Sequence, residues 1–326
     1  MHDKIFRNSR RRVMILAVAS LIICGAYLLI NAHPENPKLL RYILSLRLPT
    51  LAVIVIAAAA IGSATMVFQT IIHNRIVTPC LLGMNAMYTL VHTAVVFVSG
   101  SGSLLAANSN LAFAVDLLVM SIAATLVYGW LFKRTDSNVL YVLLIGTVLS
   151  SFFGSIQSTM IRVMDPNEYD ALLTTLVADF NNVNVEVIAF ALALLVGLGW
   201  ILRKDLMLLD VISLGKDQAI NLGVDYDRTI RRLLLGVVFC IAIATSMVGP
   251  ISFLGLIIAN LARQLLKTHR HGFLIPGAVC LGILAMLAGQ LISQHLFHYA
   301  VPISTFITIG GGIYFLYLLL IRKGGI

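Results

Sequence analysis

Charge is scarce along this chain. Only 11% of its 326 residues are Asp, Glu, Lys or Arg, where a soluble domain carries about a quarter. A water-facing surface cannot be built from so few, and a soluble globular fold is excluded. Acidic residues are the scarcer sign, 14 against 23 basic ones. Four cysteines, Cys24, Cys80, Cys240 and Cys280, lie in apolar stretches without paired spacing. That pattern speaks against a disulfide framework or a thiolate metal site and for buried free thiols. Catalytic signatures are missing as well. Gly215-Lys216 is followed by Asp217, so there is no phosphate loop, and neither H-E-x-x-H nor G-x-S-x-G occurs. The formal charge of +9 is spread over helix ends rather than gathered into a nucleic-acid patch. The first apolar segment follows an Arg-rich start but lacks a small-x-small cleavage site, and reads as an uncleaved span.

What the chain has is apolar length: 59% hydrophobic residues and a mean hydropathy of +0.95. A spanning helix needs about 20 mostly apolar residues, and lipid leaves only helices or closed barrels as spanning structures. Long runs without period-2 alternation choose helices. The expected fold is an all-α polytopic membrane protein, a single domain over 1–326. Its spans are expected at 13–31, 48–72, 80–99, 111–132, 139–161, 185–202, 233–248, 252–266, 274–293 and 303–321. Nineteen of the 23 Lys and Arg then fall on one side, and four (Lys38, Arg41, Arg47, Arg162) on the other. The positive-inside rule makes the richer side cytoplasmic and puts both termini there. Five spans on each side of a long outer segment suggest two inverted, pseudo-symmetric halves.

Polar residues inside the spans are few. Asp116 in span 4 lies near its outer end, where a structural role is favoured over transport chemistry. His269 and His271 read as a solvated basic turn. His295 and His298 read as interfacial, with no carboxylate or thiol nearby to complete a metal site. The stretch 203–232 is the exception, with six basic and five acidic residues. Within it, Ser213 can cap a short helix that Leu222-Gly223 closes. Ala219, Ile220 and Leu222 would form its apolar face, and Asp225 or Asp227 would cap the helix that follows. A short amphipathic helix of this kind suits a groove on a partner, or else a membrane surface.

Several motifs in order give the chain a family likeness. Arg47-Leu48-Pro49, Gln69, Asn74, Pro79 and Leu82-Gly83 run through span 2 and the turn after it. Leu222-Gly223-Val224 follows in the polar stretch, then Gly249, Ile251, Phe253, Gly255-Leu256 and Arg263. Over nearly its full length the chain resembles the FecCD family of ABC importer permeases, which move iron-siderophores, haem and vitamin B12. The resemblance implies the ten-span type II importer fold of the vitamin B12 permease. The coupling helix that meets an ATP-binding subunit would hold Lys216, Asp217, Ala219, Ile220, Leu222, Gly223 and Val224. Arg47 and Gln294 would meet a periplasmic or lipid-anchored binding protein. Thr135, Asp136, Ser137 and Asn138 would gate the inner end of a passage lined by spans 5 and 10. Packing and pathway roles would fall to Gln69, Asn74, Pro79, Gly83, Gly249, Pro250, Gly255 and Arg263, with Gly310, Gly311 and Gly312 in span 10. No cofactor or metal is expected on this chain, since ATP and Mg belong to the partner subunit pair.

The departures from the family pattern also inform. Thr50 replaces the second Arg of R-L-P-R, and Gln294 stands where some members have an outer Arg. Docking is therefore less basic here, or uses a partner permease. Arg75 stands in place of Pro, Ala259-Asn260 in place of Pro-His, and the three glycines in place of Gly-Ala-Pro. The H-N-R-x-x-T-P turn resembles the subgroup that takes up catecholate-type ferric siderophores, the anguibactin- and enterobactin-like systems, which often pair two different permeases. A haem or B12 permease, an ATP-independent carrier and an integral-membrane enzyme are the rival readings. The last needs a polar constellation that the sequence does not offer.

Overall fold

Apolar runs of this length satisfy their backbone polar groups internally, and the result is helical throughout. The computed structural model describes residues 2–30, 37–80, 83–100, 109–134, 139–176, 178, 180 and 185–322. Among them are thirteen α-helices. These are α1 (His2–Leu29), α2 (Pro37–Ile71), α3 (Met84–Ser99), α4 (Ser109–Arg134), α5 (Val139–Val163), α6 (Pro166–Leu176) and α7 (Val185–Met207). Then come α8 (Leu209–Ile212), α9 (Lys216–Asn221), α10 (Tyr226–Val248), α11 (Leu254–Leu266), α12 (His271–His295) and α13 (Ile303–Arg322). Seven are long and apolar enough to cross a membrane. Three shorter apolar helices, α3, α11 and α13, bring the total to ten.

The centre of the bundle is α2, which packs against α10, α12 and α11. Ala57, Ala58, Ala60, Gly62 and Ala64 are buried on it, and small residues let backbones approach. A methyl added at Gly282 of α12 would sit 3.1 Å from the Ala58 Cβ. By contrast, α1, α5 and α7 leave most of their apolar windows uncovered. Such apolar faces are left for lipid or for another subunit to cover.

Helix ends differ from the sequence expectation where a helix outruns its apolar run. The helix α2 begins at Pro37, eleven residues before the expected span, with proline at the first helical position, where its fixed φ and missing N–H do no harm. It continues through Pro49. Likewise α7 runs to Met207 and α10 starts at Tyr226. The polar stretch 203–232 is thereby cut to a compact 208–225, most of it in α8 and α9.

Two short helices follow breaks in the interior. After α2, the backbone turns at His73 (φ 54), with Asn74 N–H on Gln69 O at 3.1 Å and His73 N–H on Thr70 O at 3.2 Å. This is a Schellman-type ending. The chain then runs without α-helix through buried Val77, Thr78 and Pro79, and α3 starts at Gly83 (φ 98). After α10 it breaks at Gly249 (φ 86), and α11 starts at Phe253 (φ 63). The 13 residues of α11 rise only about 20 Å, less than the roughly 30 Å hydrocarbon core. The two breaks meet, since Asn85 Nδ2 donates to Ser252 Oγ at 3.2 Å. Each short helix is the third span of its half, the arrangement that discontinuous transporter helices adopt.

Candidate functional site

One end of the bundle gathers the basic helix ends, and α8 and α9 lie across it. The cap of α9 is built from backbone geometry. Val224 N–H donates to Ala219 O at 3.0 Å and Gly223 N–H to Ile220 O at 2.9 Å. Gly223 takes φ 83 with nothing within 4 Å of where a Cβ would be. At the other end, Gly215 (φ 106) precedes the helix with no side-chain cap. Ser213 does not cap α9 as expected. It ends α8, its hydroxyl donating to Asp210 O at 2.7 Å. Asp225 does cap α10, accepting from Arg228 N–H at 3.3 Å.

The expected apolar face of α9 is divided. Ala219 is fully buried, in a helix that packs on α8 and α10, while Ile220 and Leu222 are 49% and 63% exposed. Val224 is half-buried and Asp217 exposed. Lys216 reaches Asp227 at 3.4 Å, both in solvent. A helix anchored by one alanine thus presents two aliphatic side chains outward. Beneath it, Leu209 and Ile212 of α8 are fully buried.

Beside this surface, the residues chosen from the sequence near the end of α2 converge. The Arg263 guanidinium donates to Gln69 Oε1. Gln69 Nε2 donates to Arg75 O at 2.8 Å, and Asn260 Nδ2 donates to the same carbonyl at 3.0 Å. Asn74 Oδ1 accepts from Ile76 N–H at 2.9 Å. The α2–α3 connection is therefore clamped to α11. Asn260, where the family has His, takes part in the clamp. Pro79 and Cys80 are buried just beyond.

Glycines mark the close approaches. A Cβ at Gly83 would lie 2.7 Å from Ser150 Oγ on α5, one at Gly255 would lie 2.2 Å from Thr65 Oγ1 on α2, and one at Gly311 would lie 2.3 Å from Phe253 Cβ. Gly310 and Gly312 have open space instead. Gly249 and Pro250 form the break between α10 and α11. At the opposite end of the bundle, Arg47 is turned inward. Its Nη1 donates to Tyr27 O at 3.0 Å and Leu28 O at 3.2 Å, capping α1, and its guanidinium lies 5.8 Å from the Tyr27 ring centre. Gln294 is half-buried there. Thr135, Asp136, Ser137 and Asn138 lie outside the described residues.

Two polar clusters were not read from the sequence. His271 is no solvated turn: it is 5% exposed, bonded to Asp210 and Thr70. Asp116 has His92 as its partner at 2.6 Å. Both pairs join residues far apart in sequence, and only the apolar setting of Asp116 hinted that a partner must exist. Among the described residues, no group of three or more His, Cys, Asp or Glu is placed to hold a metal ion.

Comparison with known proteins accords with this architecture. The chain is 38% identical over 313 residues to the petrobactin import system permease protein YclO of Bacillus subtilis, spanning 96% of this chain and 98% of that one. It is 28% identical over 314 residues to the petrobactin import system permease protein FatC of Bacillus anthracis, covering 95% and 88%. Among solved structures it superposes, at a TM-score of 0.80 and 22% identity, on an inward-facing transporter assigned to the metal-chelate ABC type, covering 96% and 99%. The profile of the FecCD transport family matches residues 12–321. With ten apolar helices among its described residues and no phosphate loop in its sequence, the chain belongs to the FecCD transport family and is a membrane-embedded permease subunit of an ABC transporter.

Proposed function

We propose that this permease carries a ferric siderophore of the catecholate type across the cytoplasmic membrane of a bacterium. In this reading the basic end of the bundle faces the cytoplasm with both termini, an orientation supported by the asymmetry of Lys and Arg. There α9 receives the stroke of a separate ATP-binding subunit pair, which supplies ATP and Mg chemistry. The observation that carries this reading is the short helix α9, which leaves Ile220 and Leu222 exposed while Ala219 is buried. The names of the two relatives support petrobactin, a catecholate-type siderophore, as the first cargo to test.

A second permease subunit, different in sequence or a second copy, completes the passage. Spans α5 and α13 line it, with the gating role at its inner end given to Thr135, Asp136, Ser137 and Asn138. The open backbone at Gly310 and Gly312 leaves room for a bulky chelate. A periplasmic or lipid-anchored binding protein delivers the cargo at the opposite end, near Arg47 and Gln294. Exposed Lys38 and Arg41 add charge there.

The test is radioiron uptake by a strain deleted for this chain, offered ferric petrobactin, ferric enterobactin, haem and vitamin B12, with and without the restored gene. Restoration of ferric petrobactin or enterobactin uptake alone supports the reading. Restoration of haem or B12 uptake instead assigns a different cargo. Uptake by the purified chain in liposomes without an ATP-binding subunit would make it an ATP-independent carrier.

A further inference from the structure

Three hydrogen bonds run in a row from α8 to α12 and on to α2. Asp210 Oδ1 accepts from the backbone N–H of His271 at 2.8 Å and lies 2.6 Å from Nδ1 of the same residue. On the far side of the ring, His271 Nε2 lies 2.7 Å from Thr70 Oγ1. Asp210 belongs to α8, His271 is the first residue of α12, and Thr70 is next to last in α2.

The donors and acceptors fit one arrangement. Nδ1–H donates to the Asp210 carboxylate, and the same oxygen satisfies a backbone N–H that the first turn of α12 leaves unpaired. A carboxylate at a helix N-terminus is also favoured by the helix dipole. Thr70, whose hydroxyl also lies 2.9 Å from Met66 O, completes the row. His271 and Thr70 are buried, and Asp210 is half-exposed at the edge. Around the row, α8 is seated by fully buried Leu209 and Ile212. Gln69, the neighbour of Thr70, belongs to the clamp that holds Arg75 and Arg263.

We infer that Asp210, His271 and Thr70 are positioning residues that form a strut, carrying displacement of the α8–α9 surface into α12 and α2. The inference rests on the proposed docking of an ATP-binding subunit at α9. A charge-assisted bond and a short buried row transmit movement because the buried His271 ring cannot leave either partner without stranding a ring nitrogen. The apolar seat of α8 alone could slide. The strut converts sliding into a pull on the first turn of α12 and, through Thr70, on the connection that starts α3.

The test uses the whole transporter, assembled with its ATP-binding and partner permease subunits in liposomes. The four native cysteines are replaced by alanine, and single reporters are introduced by Gly272→Cys on α12 or Arg75→Cys after α2. Gly272 has open space for a side chain, and only the carbonyl of Arg75 serves the clamp. The readout is the change in maleimide labelling rate when ATP is trapped with vanadate. With the native strut, trapping changes labelling at both positions.

Asp210→Ala is expected to cut that change about tenfold or more at both, the effect of losing the two hydrogen bonds its carboxylate accepts. Thr70→Val, equal in shape, removes it at position 75 and spares position 272. Asp210→Asn and Thr70→Ser keep the acceptor and the hydroxyl, and restore the response. A normal response at position 75 in Thr70→Val, or no response with the native strut, overturns the inference. Should Asp210→Ala fail to assemble, the isosteric Thr70→Val still decides. Failure of the docking reading looks different: Ile220→Asp with Leu222→Asp would then still co-purify with the ATP-binding subunit.

Discussion

The imidazole of His92 and the carboxylate of Asp116 meet at 2.6 Å across the α3–α4 contact, both almost fully buried. Tyr88 lies parallel to the imidazole, with ring centres 5.8 Å apart. Buried pairs of this kind add little over an apolar substitute, but they are costly to break by halves. Asp116→Ala is therefore expected to destabilise the protein by about 3–5 kcal/mol. The joint replacement His92→Leu with Asp116→Leu should recover most of that. Thermal unfolding in detergent, followed by tryptophan fluorescence, separates the two; equal losses in both variants would contradict this account.

The clamp at the end of α2 makes a second expectation. Gln69→Ala deprives the Arg263 guanidinium of its side-chain acceptor and releases one of two bonds to Arg75 O. Losing a hydrogen bond to a charged group costs about 1.5–3 kcal/mol, and the segment 72–83 should loosen. Trypsin cleavage after Arg75 should then be faster in Gln69→Ala and in Asn260→Ala than in the native protein, while cleavage after Arg203 should be unchanged.

Contact between α11 and α2 depends on one missing methyl. Gly255→Ala drives a Cβ to 2.2 Å from Thr65 Oγ1, an overpacking expected to cost about 1–3 kcal/mol. Thr65→Ala removes that oxygen. Combining the two should raise the melting temperature above that of Gly255→Ala alone, and a double-mutant cycle would show strong coupling.

At α9, the backbone and the side chains can be tested apart. Gly223 holds φ 83 with open space around it, so only conformational strain opposes a side chain there. Gly223→Asn, which tolerates the left-handed region, should leave the helix and its coupling intact. Gly223→Val should lose the cap at a cost of about 1–2 kcal/mol and uncouple ATP hydrolysis from uptake. Ala219→Glu, placing a charge in a fully buried position, should do the same more severely. ATP hydrolysis and uptake measured side by side distinguish uncoupling from loss of the subunit.

Ten helices were legible because each is an apolar run, and basic residues marked the turns on one side of the bundle. The ends of α2, α7 and α10 were not. Their polar extensions, such as Pro37–Leu48, are held by helix continuation rather than by hydrophobic content. Motif residues Gln69, Gly255 and Arg263 could be picked from sequence, yet their purpose came only from tertiary geometry. The clamp acceptor is the carbonyl of Arg75, and a backbone atom has no signature in a sequence. His271 was misread because a histidine between Arg270 and Gly272 looks solvated, and only folding brings Asp210, 61 residues away, to its ring.

The first helix also closes a distant end of the chain. Arg12 Nη1 donates to Leu265 O at 2.9 Å and Ser9 Oγ to Leu266 O at 3.5 Å, across sequence separations of 253 and 257 residues. At a synthesis rate of about 5–20 residues per second, α1 must wait on the order of half a minute in the bilayer before those carbonyls exist. Until then its cationic end stays with water and lipid headgroups. The contact between the first helix and the end of α11 is thus made only after most of the bundle has been synthesised.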